Sequence, residues 1–282
     1  PYIQHYATPE KRAEWLPKMV SGEMIGAIAM TEPGMGSDLK AVRTSAVRDG
    51  DEWVINGSKT FISNGQNAGL VIVVCRTDPE AGRRGMSLIC VEEGTPGFTR
   101  GRNLEKIGMH AQDTSELFFE DVRVPAANLL GELNMGFRQL MHQLPQERLI
   151  IAVRCGISME TMLEKTIEYT KQRQIFGQTV FDFQVHRFKL AQAKAEIGMF
   201  RVYLDDCIAR HMKGELSAEE AAAVKLLGTE MQNRLLDDFL QMHGGYGYMA
   251  EYEIGRAWAD ARVGRIYGGS SEVMREIIAR TL

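Results

Sequence analysis

Between Pro9 and Val20, apolar residues at Trp15, Leu16 and Met19 are set among charged ones at the spacing of an amphipathic helix, and Gly22 is placed to end it. From about Gly26 to Pro125 the pattern changes to short β-rich runs separated by turn residues. Glu52-Trp53-Val54-Ile55 and Ser58-Lys59-Thr60-Phe61-Ile62 flank Asn56-Gly57, a dipeptide suited to a type I′ turn because both of its residues need positive φ. The pattern therefore predicts a hairpin turning at Asn56-Gly57. Leu70 to Cys75, Met86 to Val91, Phe98 to Arg102 and Glu116 to Phe119 read as further strands bounded by Gly, Pro and Asp. Together they predict a compact antiparallel β domain, a barrel or a sandwich.

After Pro125 the period becomes helical. Long segments are expected from about Gly136 to Arg173, Phe183 to Lys213, Ala218 to His243, and from Ser271 onward. In the second, Phe188, Ala191, Ala195, Met199 and Val202 share one stripe, with Arg187, Lys194 and Arg201 off it. Ser217 and Glu220 form a capping box that opens the third. Long helices with short connections predict a four-helix bundle. The expected class is α+β, divided into residues 1–25, 26–125 and 126–282.

Composition narrows the function classes. With 282 residues, 44% of them hydrophobic, the chain can bury a substantial core and lies near the length at which single cores stop growing, which agrees with more than one domain. A net charge of −4 offers no footprint for nucleic acid or an anionic membrane surface, and the longest apolar runs are far too short to span a bilayer. Cys75, Cys90, Cys155 and Cys207 are scattered and read as buried free thiols in a reducing compartment. The six histidines lack ligand spacing, so no metal is expected.

Four places suggest chemistry. The loop Thr31 to Asp38 sets Gly34 and Gly36 between hydroxyls, which lets a ligand meet the backbone, although a glycine-rich turn of this kind, taken alone, is more often a plain loop. Phe61 and Ser63 are two residues apart, so a strand would show both on one side. Arg173 and Phe176 pair a planar cation suited to pyrophosphate with an aromatic suited to a base. Glu147 is a carboxylate in an apolar helical stretch, two residues after Pro145, where a kink is expected.

These residues sit in runs that resemble the acyl-CoA dehydrogenases, and the resemblance extends from about Tyr2 to Leu282. Met30-Thr31-Glu32-Pro33-Gly34-Met35-Gly36-Ser37-Asp38, Phe61-Ile62-Ser63-Asn64-Gly65, Gln172-Arg173-Gln174-Ile175-Phe176-Gly177, Gln241-Met242-His243-Gly244-Gly245 and Tyr267-Gly268-Gly269-Ser270-Ser271-Glu272 fall in family order. The nearest likeness is to the long-chain type. Such enzymes start earlier, with a helical domain, so a chain that opens at Pro1 without Met is expected to be truncated.

The resemblance implies FAD held by Met30, Thr31, Gly36, Ser37, Phe61, Ile62 and Ser63, by Arg173, Phe176, Gln184 and Gln241 to Gly245 reaching a neighbouring subunit's cofactor, and by Ser270, Ser271 and Glu272 at a helix start. It implies an acyl-CoA substrate near Ser37, Arg148, Tyr267 and Gly268, an electron-transferring flavoprotein as acceptor, and a homotetramer in a bacterial cytoplasm or a mitochondrial matrix. The family's commonest form carries its catalytic glutamate where this chain has Gly268; a smaller branch carries it upstream, at the position of Glu147. Glu147 is therefore the expected base, and the Gly268 N–H the expected donor to the thioester oxygen. An acyl-CoA oxidase and a non-catalytic flavin-binding subunit are the alternatives.

Overall fold

A computed structural model describes residues 1–282. It divides into two units, Pro1–Lys106 with His110–Gln143, and Ile107–Met109 with Leu144–Leu282. The division falls inside a helix and not at residue 125, and residues 1–25 belong to the β-rich unit. Trp15, fully buried, shares a core with Leu70, Val74 and Leu88.

The first unit opens with α1 (Tyr2–Tyr6), too short to show a helical period, and α2 (Pro9–Ser21). The Thr8 hydroxyl caps α2 by accepting the Lys11 N–H, and Gly22 at φ 80° ends it. Strands β1 (Ile25–Ala29), β2 (Ser45–Asp49), β3 (Glu52–Ser63), β4 (Ala68–Arg76), β5 (Met86–Glu92), β6 (Phe98–Asn103) and β7 (Thr114–Pro125) form one seven-stranded sheet in the order β1-β4-β2-β3-β7-β6, with β5 also paired to β4. It is an open, curled sheet. Its pairing is mixed, because β1 runs parallel to β4.

Asn56-Gly57 is not a turn. β3 runs through it for 12 residues, and the β2–β3 hairpin turns at Gly50-Asp51, where Gly50 has φ 58°. The Asn56 side chain instead bonds Asp121 on β7 in both directions, at 3.0 and 2.9 Å, where the β3–β7 register shifts. Gly57 is required by close approach: a Cβ there would lie 2.6 Å from Thr44 Oγ1 and 2.7 Å from Thr44 Cα.

The second unit is helical. Helix α3 (Gly136–Gln172) runs unbroken through Pro145 and contributes to it from Leu144 onward. A short hairpin, β8 (Gln174–Ile175) and β9 (Gln178–Thr179), leads to α4 (Gln184–Met212), α5 (Ala218–His243), α6 (Glu253–Ala261) and α7 (Ser271–Ala279). Both bonds of the Ser217–Glu220 capping box are present, at 3.0 and 3.1 Å. Helix α6 was not anticipated.

The stripe expected on α4 is the outer one: Phe188, Met199 and Val202 are 63%, 68% and 73% exposed. Apolar residues occupy two faces of that helix, and the one carrying Leu190, Ala193, Ile197, Phe200 and Leu204 packs with α3 and α5. All four cysteines are buried free thiols. No helix is long and apolar enough to cross a membrane.

Candidate functional site

In the first unit the loop after β1 is held from beneath by a buried ion pair. Lys59 Nζ, fully buried, donates to Glu32 Oε1 at 2.9 Å and to the Met30 carbonyl at 3.1 Å. The Glu32 carboxylate also accepts the Arg43 and Thr44 N–H groups at 2.8 and 2.9 Å. Burial opposes its charge, but the bonds from Thr44 and Lys59 outweigh that and hold its carboxyl below the usual range. The Thr60 N–H reaches the Thr31 carbonyl at 2.9 Å, so β3 and the loop are tied at adjacent residues.

This leaves Gly36 and Ser37 exposed, with Met30 and Thr31 half-buried. A Cβ at Gly34 or Gly36 would meet nothing within 4 Å, so the fold itself does not use their small size. Phe61 and Ser63 are exposed on one side of β3, as the alternation predicts. Phe61 is 68% exposed at φ 58°, a left-handed conformation costly for an aromatic residue. Ile62 lies between them in the core, 3% exposed, so its side chain offers nothing to a ligand.

In the second unit, Glu147 is half-buried on α3 and Ile151 follows it one turn later. Gly268 has φ 64°, and a Cβ on it would lie 2.5 Å from Ile151 Cδ1. Glu147 and Gly268 thus border the same stretch of α3. Arg148 is 6% exposed and its Nε is 3.4 Å from the Gly268 carbonyl; burial pushes its guanidinium down, against the pull of Glu147. Lys225 Nζ donates to the Gly269 carbonyl at 2.7 Å. Half-buried Tyr267 lies 3.5 Å from Arg154 through its hydroxyl.

Ser270 caps α7 by accepting the Val273 N–H at 3.4 Å. The Ser271 side chain is buried and donates to Glu230 at 2.5 Å, so its hydroxyl is committed inside the unit. Glu272 is exposed, 3.9 Å from Arg275.

Further along, the β8–β9 hairpin turns on Phe176 and Gly177 at φ 51° and 78°, and Phe176 is 93% exposed. A cleft of about 540 Å³ beside it is lined by Arg173, His186, Gln241 and Gly244 to Tyr246, among others. Arg173 stands over the Tyr246 ring at 5.4 Å. Gln184, also exposed, opens α4. Met242 and His243 are buried: the His243 ring stacks on Tyr169 at 4.2 Å, its Nδ1 bonds the Phe239 carbonyl at 2.8 Å, and burial holds its pKa down.

Sequence reasoning missed Lys59 and Lys225. Both left a signal. Lys59 shares the parity of Trp53 and Ile55 on β3, and Lys225 stands in the small-residue stripe of Ala221, Gly228 and Thr229.

The chain belongs to the acyl-CoA dehydrogenase family, whose middle-domain model matches residues 27–122 and whose C-terminal-domain model matches residues 134–282. It is 51% identical to the mitochondrial long-chain specific acyl-CoA dehydrogenase of Sus scrofa over 100% of its own length and 66% of that protein's. The chain thus spans just under two thirds of that curated relative. Among solved structures it matches an acyl-CoA dehydrogenase from Geobacillus kaustophilus with TM-score 0.98 and 52% identity, over 100% of this chain and 74% of that one. Butyryl-CoA dehydrogenase from Megasphaera elsdenii matches with TM-score 0.96 and 35% identity, over 99% and 73%. The family is one of flavoprotein oxidoreductases.

Proposed function

We propose that this chain is the flavin-binding and catalytic part of an FAD-dependent acyl-CoA dehydrogenase, which converts a fatty acyl-CoA to the trans-2-enoyl-CoA and passes the electrons to an electron-transferring flavoprotein. The observation that carries this reading is the placement of Gly268 against Ile151, one turn from Glu147. A carboxylate on α3 and a glycine turn facing the same helix are what a relocated base requires.

The residues present fit FAD. Phe61 and Phe176 are aromatics held exposed at positive φ, a strain the fold alone does not repay, and Arg173 lines a cleft beside the Gly244-Gly245 turn. Met30, Thr31, Gly36, Ser37 and Ser63 would contact the cofactor, as would Gln184, Gln241 and Ser270, with Phe176 reaching a neighbouring subunit in a homotetramer. Ile62, Met242, His243 and Ser271 would support these contacts from within. When bound, FAD supplies the acceptor for the hydride leaving Cβ.

Glu147 removes the Cα proton. Its half-buried position on α3, one turn before Ile151, suits a carboxylate acting as base. The Gly268 N–H, which makes no hydrogen bond within its unit, donates to the thioester oxygen as negative charge develops there. Tyr267 precedes Gly268 in sequence and would line the acyl-CoA path, a role the family resemblance also implies for Ser37. The long-chain likeness points to a long acyl group.

Anaerobic titration of the full-length protein with acyl-CoAs of increasing length tests the reading, since a dehydrogenase bleaches its flavin with its substrate class. Reoxidation in air should release far less hydrogen peroxide than turnover with a dye or flavoprotein acceptor produces; comparable rates would indicate an oxidase.

A further inference from the structure

Lys225 is a residue that stability alone would not select. Its side chain is fully buried on α5, and no carboxylate lies within 4 Å of its Nζ. The Cys155 thiol nearby is pushed up to about 12 by burial, so it is neutral and no counter-ion. Desolvation brings the Lys225 ammonium down to about 8. A buried cation whose nearest favourable carboxylates, Glu230 and Glu272, form no direct ion pair with it is costly, and this one has a single hydrogen-bond acceptor, the Gly269 carbonyl at 2.7 Å.

That carbonyl belongs to an unusual turn. Gly268 and Gly269 both have positive φ, 64° and 96°, and no side chain restricts either one. Two consecutive glycines would otherwise sample many orientations, and ordering them must be achieved by bonds to their backbone. Both carbonyls have one: Arg148 Nε stands 3.4 Å from Gly268 O and Lys225 Nζ 2.7 Å from Gly269 O.

We infer that Lys225 is a positioning residue which, with Arg148, locks the Gly268-Gly269 turn and so aims the Gly268 N–H at the substrate's thioester oxygen. The inference rests on the dehydrogenase reading above. Lys225 touches no reacting atom; it acts through the peptide that follows Gly268.

The test uses full-length holoprotein carrying Lys225→Met, which keeps the length and removes the donor. Two quantities are read: the rate of flavin reduction at saturating acyl-CoA, and the thioester C=O stretch of bound trans-2-enoyl-CoA in isotope-edited infrared difference spectra. A donor aimed at that oxygen lowers the stretch relative to free ligand. In Lys225→Met the lowering should shrink and reduction should slow by about 10- to 100-fold, somewhat below the loss of an oxyanion donor itself, with FAD content and acyl-CoA affinity nearly unchanged. Should Lys225→Met fail to accumulate, Lys225→Leu replaces it with the same expectation. Parental frequency and rate in the variant that folds overturn the inference. A parent protein that neither bleaches nor shifts the band overturns the dehydrogenase reading itself, and this inference with it.

Discussion

Gly268 faces Ile151 so closely that a single added carbon would lie 2.5 Å from the Ile151 Cδ1. Ile151 is the residue one turn after Glu147, so the place where a side chain is missing and the place where a carboxylate is present adjoin the same face of α3. That adjacency makes exchange of the base between the two positions a physical question. Gly268→Glu in a Glu147→Gln background must displace the Ile151 terminal methyl and hold a non-glycine residue at φ 64°, at a cost of about 1–2 kcal/mol. Partial recovery of flavin reduction is expected. Adding Ile151→Ala should increase it, and stopped-flow rates of the single, double and triple variants measure the order.

The Glu32–Lys59 pair gives a second expectation, for stability. Removing one partner leaves the other buried and uncompensated, so Lys59→Met should destabilise by about 3–5 kcal/mol, while Lys59→Met with Glu32→Leu should recover much of that loss. The sign with pH follows from the depressed Glu32 carboxyl: its contribution is present above the unfolded value, about 4.3, and is lost as pH falls through the lower folded value. Melting temperatures between pH 3 and 7 should therefore fall less steeply on the acid side for Glu32→Gln than for the parent. Equal slopes would remove Glu32 from the account.

The elements whose signals are local were legible in the sequence. The capping box at Ser217, the glycine stop at Gly22 and the alternation of Phe61 and Ser63 about Ile62 all depend on near neighbours, and each was read correctly. Asn56-Gly57 stays within a strand because its dipeptide preference competes with a tertiary demand, the approach of Thr44 and the Asn56–Asp121 bonds, that no local window contains. The α4 stripe failed for a related reason: two apolar faces were present and only packing decides which one is inside. Ser271, Met242 and His243 match family runs, yet their side chains turn inward, which position in a motif does not disclose.

At the far end of the candidate cofactor site, Arg173→Ala should lower FAD occupancy. One charge-assisted contact to a phosphate is worth about 1.5–3 kcal/mol, or roughly one to two decades of affinity. Equilibrium dialysis at low FAD reads the change directly, and unaltered retention would detach Arg173 from the cofactor.

Phe176 separates strain from binding. At φ 51° and 93% exposed, it holds a strained conformation with one edge-on ring contact in its own unit, to Phe183 at 6.5 Å, so Phe176→Gly should leave the melting temperature of the apoprotein nearly unchanged. The same variant should lose FAD more readily on size exclusion. A variant that loses stability and keeps its cofactor would make Phe176 a structural residue only.

The most direct measurement is anaerobic stopped-flow reduction of full-length Glu147→Gln at saturating acyl-CoA. The amide keeps the shape of the side chain and removes its basicity, so acyl-CoA should still bind while flavin reduction falls by at least the ~10²–10⁴-fold that a general base contributes. Reduction at the parental rate would show that the proton leaves by another group, and would contradict the assignment of Glu147 as the base.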